Sequence, residues 1–501
     1  MNPSDTRGFW ALLALLALLA FAFQGTRGLW EPDEGRYTSA GINMLRSGDW
    51  IVPSIDAEHP HLTKPPMTYW ALAASFGAFG ANEWAARVPA ALSFIGTGLL
   101  VLGLGRRLVP ARPWLAPIVW SLSFAPFMSA NIVSTDCLLL LFETASMWAF
   151  VEAWSGPPQA RRRWTRLMWL AWGLAFMTKG PPGLLPLLAM IAFLALHDRS
   201  RLRGVFDPVG LLVFSVTAGA WFVLVIAQDP GRLQYFLGYE VYDRVFTATH
   251  NRNAQWYGGL VAYLPVLLVG TLPWSVFAVV AAGGVRPAWS RLRQRVHERN
   301  PQWLLLLYWL LVPLAIFMLA RSRLPLYIMP LFVPLSLMFA RVLSGWGWLS
   351  AGRLKAISVV TALVLLCCKA ILGYWHSDRD SRSMAAAVRE AVEPSQFDGI
   401  TFLEMRPFYG LNLYLGKPVK AVPFVANTGK LSAYAKGEDL CSELARERRT
   451  LFAVKQNKVE GFREGVTRCG APAPEAVGHF DADGNRIALY FVRKTAIHQD
   501  G

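Results

Sequence analysis

The chain has 501 residues, of which 54% are hydrophobic and only 16% charged, and it contains 21 Trp. Its apolar residues fall in blocks of about 17–25, which is long enough for a helix to cross roughly 30 Å of hydrocarbon. A large soluble helical core is the alternative, but no soluble domain of this length needs so much apolar surface. Composition and block length therefore predict a helical membrane protein.

The formal net charge of +16 raises the alternative of a nucleic-acid-binding protein. The basic residues form no single patch, however, because they lie in every second loop between the apolar blocks. This alternation is the positive-inside pattern of a polytopic membrane protein, whose basic loops stay in the cytoplasm. We therefore expect no nucleic-acid partner. The basic loops are 106–112, 161–166, 199–203 and 283–302.

Eleven apolar segments are predicted to span the membrane, which places the N-terminus inside and the chain after residue 373 outside. Thirteen is the alternative count, because segments 167–178 and 183–196 are short and interrupted by Pro and Gly. The first segment also resembles a signal peptide, but we expect an uncleaved anchor because further spans follow. The segments are 9–26, 85–105, 114–133, 137–154, 167–178, 183–196, 209–227, 257–282, 303–319, 327–345 and 355–373.

The pattern predicts two domains. Residues 1–373 form the membrane domain, with large outer loops at 27–87 and 228–256. Within the first loop, the stretch 65–79 is expected to be an amphipathic helix along the membrane face. Residues 374–501 have the composition of a small soluble α/β or α+β domain on the outer face.

The first outer loop begins with a predicted helix over 33–46. Pro32 is suited to a helix start, and Asp33 and Glu34 in the first turn complement the helix dipole. Gly48 is expected to end the helix.

The last 128 residues predict one helix, at 384–392, and several strands. Asp-Ala-Asp-Gly at 481–484 is a hairpin turn signal. Cys441 and Cys469 fall in an oxidising compartment, which permits a disulfide, and the sequence leaves its formation open. The predicted strands are 400–404, 451–455 and 488–493.

The outward side of the chain gathers ionisable residues at the membrane boundary. Such residues are costly there and indicate a functional site. Cations can hold phosphate oxygens, and a carboxylate can accept the proton of a hydroxyl or stabilise positive charge on a sugar ring. Together they predict a site for an anionic, lipid-borne substrate. The residues are Asp33, Glu34, Lys64, Asp136, Lys179, His250, Arg252, Arg321 and Arg323.

Each of these residues also has a structural interpretation. Asp33 and Glu34 complement a helix N-terminus, and Asp136 is placed to cap the span that follows it. Lys64 and Lys179 are placed to act as interfacial anchors. A transporter is equally compatible with these features, although the large outer loop and the outer soluble domain favour an enzyme.

Several motifs, in conserved order along 27–345, resemble those of GT-C glycosyltransferases. The nearest resemblance is to the lipid A aminoarabinose transferases, followed by bacterial relatives of the protein O-mannosyltransferases. The motifs are Glu-Pro-Asp-Glu-Gly-Arg-Tyr at 31–37, Thr-Lys-Pro-Pro at 63–66, Ser-Thr-Asp at 134–136, Thr-Lys-Gly at 178–180 and Ser-Arg-Leu-Pro-Leu-Tyr at 322–327.

The resemblance implies a GT-C fold in the bacterial inner membrane with a periplasmic active site. The implied reaction transfers a monosaccharide from a polyprenyl (undecaprenyl) phosphate donor to lipid A or another envelope glycolipid or glycan. A polypeptide acceptor, as in the O-mannosyltransferases, is one alternative, and a lipid or glycan transporter without catalysis is another. The oligomeric state stays open.

The resemblance also implies roles for individual residues. Two carboxylates are expected to be catalytic, four residues to bind the donor phosphate, and three others to complete the site. The catalytic pair is Asp33 and Asp136, the phosphate ligands are Lys64, Lys179, Arg252 and Tyr327, and the remaining residues are Glu34, Tyr37 and His250.

One departure from the family concerns a metal. The aminoarabinose transferases usually have an acidic residue just before the loop lysine, which can hold a metal together with a later histidine. Here Thr63 stands in that place, and a threonine is a poor ligand for a divalent ion. Glu58, His59 and His61 are nearby and, with His250, are the candidate ligands, so a divalent metal is an open alternative and no cofactor is assigned.

Overall fold

The structure is a computed structural model and describes residues 3–56, 58–238, 253–426 and 438–492. Helices dominate it. In chain order the α-helices are α1 Pro3–Phe21, α2 Asp33–Ser47, α3 Met67–Phe79, α4 Glu83–Leu108, α5 Leu115–Ser121, α6 Phe124–Ser129, α7 Asp136–Ser155, α8 Pro158–Lys179, α9 Leu185–His197, α10 Arg199–Leu202, α11 Pro208–Gln228, α12 Gly231–Gln234, α13 Gly258–Gly270, α14 Trp274–Ala281, α15 Val285–His297, α16 Pro301–Leu319, α17 Phe332–Ser344, α18 Ala351–Tyr374, α19 Ser381–Ala391, α20 Leu411–Leu415, α21 Leu440–Ala445 and α22 Val459–Arg468.

The chain forms two compact units. The helical unit consists of Met1–Gln24, Thr63–Thr68 and Arg87–Ala370, and the mixed unit consists of Gly25–Leu62, Tyr69–Ala86 and Ile371–Gly501. Most of the first outer loop therefore packs with the C-terminal segment, which differs from the predicted division at residue 374. The physical reason lies in long-range contacts within the mixed unit.

Two of those contacts are buried hydrogen bonds from α20 to the first loop. Nδ2 of Asn412 donates to Oγ of Ser39 at 2.8 Å and to Oδ1 of Asn43 at 3.0 Å. Arg46, one turn further along α2, donates in turn to Oδ1 of Asn412 at 2.7 Å. Asn412 is fully buried, so these bonds must persist while the unit is folded.

Each of the eleven segments predicted to span the membrane contains helical structure, and most of their residues belong to the helical unit. Among the described residues, six helices have the length and hydropathy for a full crossing, and the bent pair α13–α14 raises this count to seven. A shorter apolar helical stretch covers Pro181–His197. The chain is thus a polytopic helical protein, whereas eleven or thirteen crossings stay a prediction. The six are α4, α7, α11, α16, Pro325–Ser344 and α18.

Several predicted spans are not single straight α-helices, among them 183–196, which begins within the 3₁₀-helix Pro181–Leu184 and continues as α9. Ser123, which is extended, divides 114–133 into α5 and α6. Helices α13 and α14 meet at an angle of 74°. The segment 327–345 begins as a 3₁₀-helix, Pro325–Leu331, and continues as α17. Breaks at membrane depth are tolerated where neighbouring protein surrounds the backbone.

The core of the helical unit is rich in tryptophan. Trp120, Trp172, Trp274 and Trp309 are at most 1% exposed. Helices α7 and α8 pack together as a hairpin, so the first residue of α7 and the last residue of α8 lie at the same end. Because α7 has 20 residues, its two ends are about 30 Å apart.

The mixed unit is built on a five-stranded sheet in the order β2-β1-β3-β5-β4. The three strands β2, β1 and β3 are parallel, and β5 and β4 join as an antiparallel hairpin. The sequence predicted β1, β3, β5 and the hairpin turn but missed β2 and β4. The strands are β1 Gly399–Leu403, β2 Val419–Val422, β3 Thr450–Lys455, β4 Glu475–Ala482 and β5 Asn485–Phe491.

Several local predictions are confirmed in the mixed unit. Helix α2 covers Asp33–Ser47 and ends at Gly48, whose φ of +71° is readily adopted by glycine. Helix α19 covers the predicted helix at 384–392 to within a few residues. Cys441 and Cys469 form a disulfide. Helix α3, in contrast, contains no charged residue and so lacks the polar face that was expected.

Candidate active site

A buried ion pair joins the two helices of the α7–α8 hairpin. Asp136 is the first residue of α7 and Lys179 the last residue of α8. Nζ of Lys179 donates to Oδ1 of Asp136, and the side chains are 7% and 8% exposed. Each charge lies at the helix end whose dipole favours it. Thr135 precedes α7 and makes no side-chain capping hydrogen bond, so Asp136 lies in the first turn of the helix.

Tyr327 and Glu143 complete this cluster. Nζ of Lys179 lies 4.4 Å from the centre of the Tyr327 ring, which is a cation–π distance. Glu143 is fully buried two turns along α7 from Asp136 and interacts electrostatically with Lys179. We call Asp136, Glu143, Lys179 and Tyr327 the phosphate-site cluster. The sequence prediction missed Glu143, although an acidic residue inside an apolar span is itself a functional signal.

Lys64 also belongs to the helical unit. Its Nζ donates to the carbonyl oxygen of Thr63 at 2.8 Å, and the side chain is half-buried. The two following residues, Pro65 and Pro66, are buried and fix the backbone directly before α3. The lysine is therefore held on a restrained segment.

Asp33 lies in the mixed unit, at the N-terminus of α2. Its side chain is 51% exposed, and Arg36 donates to its Oδ1 at 2.6 Å. An exposed ion pair of this kind contributes only about 0–1 kcal/mol to stability. The Asp33 carboxylate is therefore not required to hold the fold and is accessible to another molecule.

The neighbouring Glu34 is bound differently. Arg27 donates to both of its carboxylate oxygens, at 2.6 and 2.8 Å, and the backbone N–H of Trp30 donates to Oε2 at 2.9 Å. Glu34 is buried, so this bidentate pair holds the entry to α2. Tyr37 is buried too, with its ring 6.1 Å from that of Tyr69. The geometry favours structural roles for Glu34 and Tyr37.

Glu31 connects the first loop to the C-terminal segment within the mixed unit. Its Oε1 accepts hydrogen bonds from the backbone N–H of Gly410 at 2.6 Å and from Oγ of Ser381 at 2.9 Å. Burial raises the pKa of Glu31 to about 8, against the two hydrogen bonds, which lower it. Sequence reasoning did not find this role, because both partners lie about 350 residues or more further along the chain.

The candidate metal ligands give a poor fit for a divalent ion. Glu58, His59 and Glu438 place possible ligand atoms within 4.8 Å of one another. However, Lys420 lies 3.1 Å from Glu58 and 3.6 Å from Glu438, and Arg446 pairs with both carboxylates. Cations already occupy the positions around these oxygens, and they would repel a metal.

Within the described part of the chain, Glu58, His59 and His61 give no better metal site. Burial alone would raise the pKa of Glu58, but Arg446 and Lys420 lower it to about 2. The Glu58 carboxylate is therefore ionised and paired with these two cations. Nδ1 of His59 donates to Oδ2 of Asp56 at 2.9 Å, and this hydrogen bond raises the pKa of the imidazole. His61 is buried, with its ring edge-on to Tyr69.

Two predicted site residues, His250 and Arg252, lie outside the described residues. Their loop is bordered by Asn253, which is described. Arg323 is buried and donates to the carbonyl oxygens of Asn253 and Gln255 at 2.8 and 2.6 Å, and to that of Met318 at 2.9 Å. Arg323 therefore holds the end of this loop against the start of the Pro325–Leu331 segment.

Comparison with known proteins gives consistent matches. A family model described as dolichyl-phosphate-mannose-protein mannosyltransferase matches residues 63–227. An undecaprenyl phosphate-alpha-4-amino-4-deoxy-L-arabinose arabinosyl transferase of Erwinia tasmaniensis is 30% identical, over 94% of this chain and 88% of its own length. A second such transferase, from Sodalis glossinidius, is 33% identical over 72% of this chain.

The matched regions differ in extent. The alignment spans 63% of the length of the Sodalis protein and 58% of a similar transferase from Edwardsiella ictaluri. Among solved structures, ArnT from Cupriavidus metallidurans bound to undecaprenyl phosphate has a TM-score of 0.74 at 21% identity. That likeness covers 96% of this chain and 98% of the other, so the two share a fold.

Proposed function

The chain belongs to the family of the undecaprenyl phosphate-alpha-4-amino-4-deoxy-L-arabinose arabinosyl transferases, which are GT-C glycosyltransferases, and we propose that it transfers a monosaccharide from an undecaprenyl phosphate donor. The proposed acceptor is lipid A or another envelope glycolipid or glycan. The observation that carries the proposal is the buried pair of Asp136 and Lys179 beside Tyr327. Family membership supplies the reaction class, and the pair supplies a place for the donor phosphate.

Lys179 is the proposed phosphate ligand. Its charge is balanced by Asp136, and an arriving phosphate brings negative charge of its own that can share the ammonium group. When the bond between the anomeric carbon and the phosphate oxygen breaks, the leaving polyprenyl phosphate gains negative charge. Lys179 stabilises that charge, and Asp136 orients the lysine. Lys64 and Tyr327, and Arg252 outside the described residues, are the other proposed ligands.

Asp33 is the proposed catalytic carboxylate. An acceptor oxygen attacks the anomeric carbon as the bond to phosphate breaks, with positive charge building on the sugar ring. If the acceptor is a hydroxyl, its proton passes to the Asp33 carboxylate. If the acceptor is a lipid phosphate, its oxygen is already anionic, and Asp33 stabilises the charge on the ring. The exposure of Asp33 suits either role.

The proposed location is the bacterial inner membrane, with the active site on the periplasmic side. Eleven crossings would place the basic loops in the cytoplasm and the mixed unit outside. The Cys441–Cys469 disulfide supports this orientation, because disulfides persist in the periplasm and are rare in the cytosol.

A polypeptide acceptor is the second candidate. The observation that favours it is the family model for protein mannosyltransferases over residues 63–227. Thr63 stands where the aminoarabinose transferases usually have an acidic residue. Because of this difference, the identity of the transferred sugar is not assigned. The test is to incubate the purified protein with a panel of undecaprenyl phosphate sugars and either lipid A or a peptide. Mass spectrometry of the products would identify the sugar and the acceptor.

The catalytic role of Asp33 is tested by Asp33→Asn in the purified full-length protein. We expect transfer to fall by about 10²–10⁴-fold, because the amide can neither accept a proton nor balance positive charge, while donor binding is retained. Asp398→Asn is the matched control, since Asp398 is an exposed carboxylate of the mixed unit that also pairs with an arginine. Undiminished transfer by Asp33→Asn would remove Asp33 from the mechanism.

Lys64→Ala tests the phosphate role of the loop lysine. Loss of one charge-assisted contact should weaken binding of undecaprenyl phosphate about tenfold. The control is Lys355→Ala, which removes an exposed lysine of α18 in the helical unit. Unaltered affinity in Lys64→Ala would exclude Lys64 from the donor site.

A further inference from the structure

The basic segment 283–302 is not a simple loop, because most of it forms helix α15. This helix carries four arginines and one histidine and no acidic residue. Apolar side chains are exposed beside them, with Val285 71% and Trp289 66% exposed. A basic helix with exposed apolar residues of this kind lies in the membrane interface, where anionic lipids attract it.

A cavity of about 560 Å³ lies between α15 and the neighbouring helices of the helical unit. Three arginines line it: Arg291 and Arg295 from α15, and Arg341 from α17. The lining also includes apolar side chains, among them Ala282 and Phe339. The cavity therefore combines cationic side chains with apolar surface suited to hydrocarbon.

The positive charge of this cavity is mostly uncompensated. Within the described residues, Arg291 has no acidic partner, and Arg295 has one, Glu298 at 3.2 Å. Arg341 donates to the carbonyl oxygen of Leu108 and to Oε1 of Gln302 at 2.6 Å, both of them uncharged. These bonds fix the arginine without neutralising it, so an anion would be attracted.

The cavity lies at the opposite end of the helical unit from the phosphate-site cluster. Gln302, which lines the cavity, donates to the carbonyl oxygen of Arg107, and Arg107 pairs with Glu152 near the end of α7. Asp136 is at the start of the same helix, about 30 Å away. The cavity is thus distinct from the proposed donor site.

We propose that this cavity binds the headgroup of an anionic phospholipid, with the arginines on its phosphate and the acyl chains along the apolar surface. The surrounding loops are those with the highest density of basic residues, so the lipid would come from the cytoplasmic leaflet. Charge complementarity selects an anionic lipid over a zwitterionic one, since each arginine near such a headgroup contributes about 1 kcal/mol.

Native mass spectrometry of the full-length, delipidated protein tests the proposal with phosphatidylglycerol and phosphatidylcholine as probes. The wild-type protein should retain phosphatidylglycerol more strongly than phosphatidylcholine. Arg291→Gln with Arg295→Gln should weaken phosphatidylglycerol binding by about tenfold or more, because two contacts to the headgroup are lost.

The matched control is Arg286→Gln with Arg293→Gln, which removes the same charge from exposed positions of α15 that do not line the cavity. It should leave phosphatidylglycerol binding within about twofold of wild type. Arg291→Lys with Arg295→Lys should restore most of the affinity. Equal losses in the two glutamine variants, or equal binding of the two lipids, would overturn the proposal. Because all four arginines are exposed, the variants are expected to fold, and the lysine variant checks this independently.

Discussion

Each unit contains a cluster of opposite charges, and the two clusters differ in the cations that they contain and in their exposure. In the mixed unit, Lys420 contacts Glu443 and Glu58, and two arginines contact the same carboxylates. In the helical unit, Lys179 donates to Asp136 and lies against the ring of Tyr327. We call the cluster in the mixed unit, made of Glu58, Lys420, Glu438, Glu443, Arg446 and Arg448, the clamp cluster.

The difference between the two clusters indicates that they have different roles. In the clamp cluster each carboxylate contacts at least two cations, so its oxygens are already paired and would bind an additional cation poorly. In the phosphate-site cluster the lysine pairs with Asp136 where two helix ends meet, and an anionic substrate can share the charge of this lysine. The first arrangement is suited to joining the first loop to the sheet, and the second to binding.

The largest effect is expected from Lys420→Met. Removing this buried lysine breaks its ion pair with the buried Glu443. The free energy of unfolding should fall by about 3 kcal/mol, the lower end of the range for a buried pair, because Arg446 and Arg448 still contact Glu443. Transfer activity per folded molecule should persist. Chemical unfolding of the full-length protein measures the change. Lys458→Met is the control, because its ion pair with Glu404 spans 3.8 Å and is partly exposed; it should cost under about 1 kcal/mol. Similar costs in both variants would contradict the comparison.

Lys179→Met should have the next largest effect, this time on catalysis. Loss of a cation that stabilises the leaving phosphate should reduce the transfer rate by about 10²–10³-fold. Lys369→Met is the matched control, since Lys369 is also a buried lysine of the helical unit and donates to the carbonyl oxygen of Ala20 at 2.9 Å. Equal loss of transfer in the two variants, measured per folded molecule, would show that burial rather than phosphate binding matters.

A smaller effect is expected from the pH dependence of Glu31. Its pKa is about 8 in the folded protein and ordinarily 4.5, so between these values the folded state binds more protons than the unfolded state. Stability should therefore fall as the pH rises from about 4.5 to 8, by at most about 1.4 kcal/mol per pH unit. Glu31→Gln keeps an oxygen for Gly410 and Ser381 and should remove this slope. Unfolding measured from pH 5 to 9 checks it, and an unchanged slope would contradict the role of burial.

The helical fold was largely predictable because hydrophobic length and basic loops are local features of the sequence. Helix α2 and its end at Gly48 were predictable for the same reason. Strand β2 was missed because it has only four residues, and β4 because it starts with exposed residues at the edge of the sheet. Helix α15 was missed because its density of arginines was taken as the mark of a loop.

The site was predictable where a single residue carried the signal and not where contacts were long-range. Asp136 and Lys179 were singled out separately, and the structure pairs them. Glu31 was recognised only as part of a motif, since its partners Ser381 and Gly410 are far away in sequence. No local sequence pattern predicts contacts between residues so far apart in the chain.

Binding of undecaprenyl phosphate to the wild-type protein and to Lys179→Met and Lys369→Met tests most directly whether the phosphate-site cluster holds the donor. Native mass spectrometry of the three full-length proteins at one lipid concentration series gives the affinities. We predict that Lys179→Met weakens binding by tenfold or more, by analogy with the loss of other charge-assisted contacts, while Lys369→Met binds like wild type. Wild-type affinity in Lys179→Met would contradict the account.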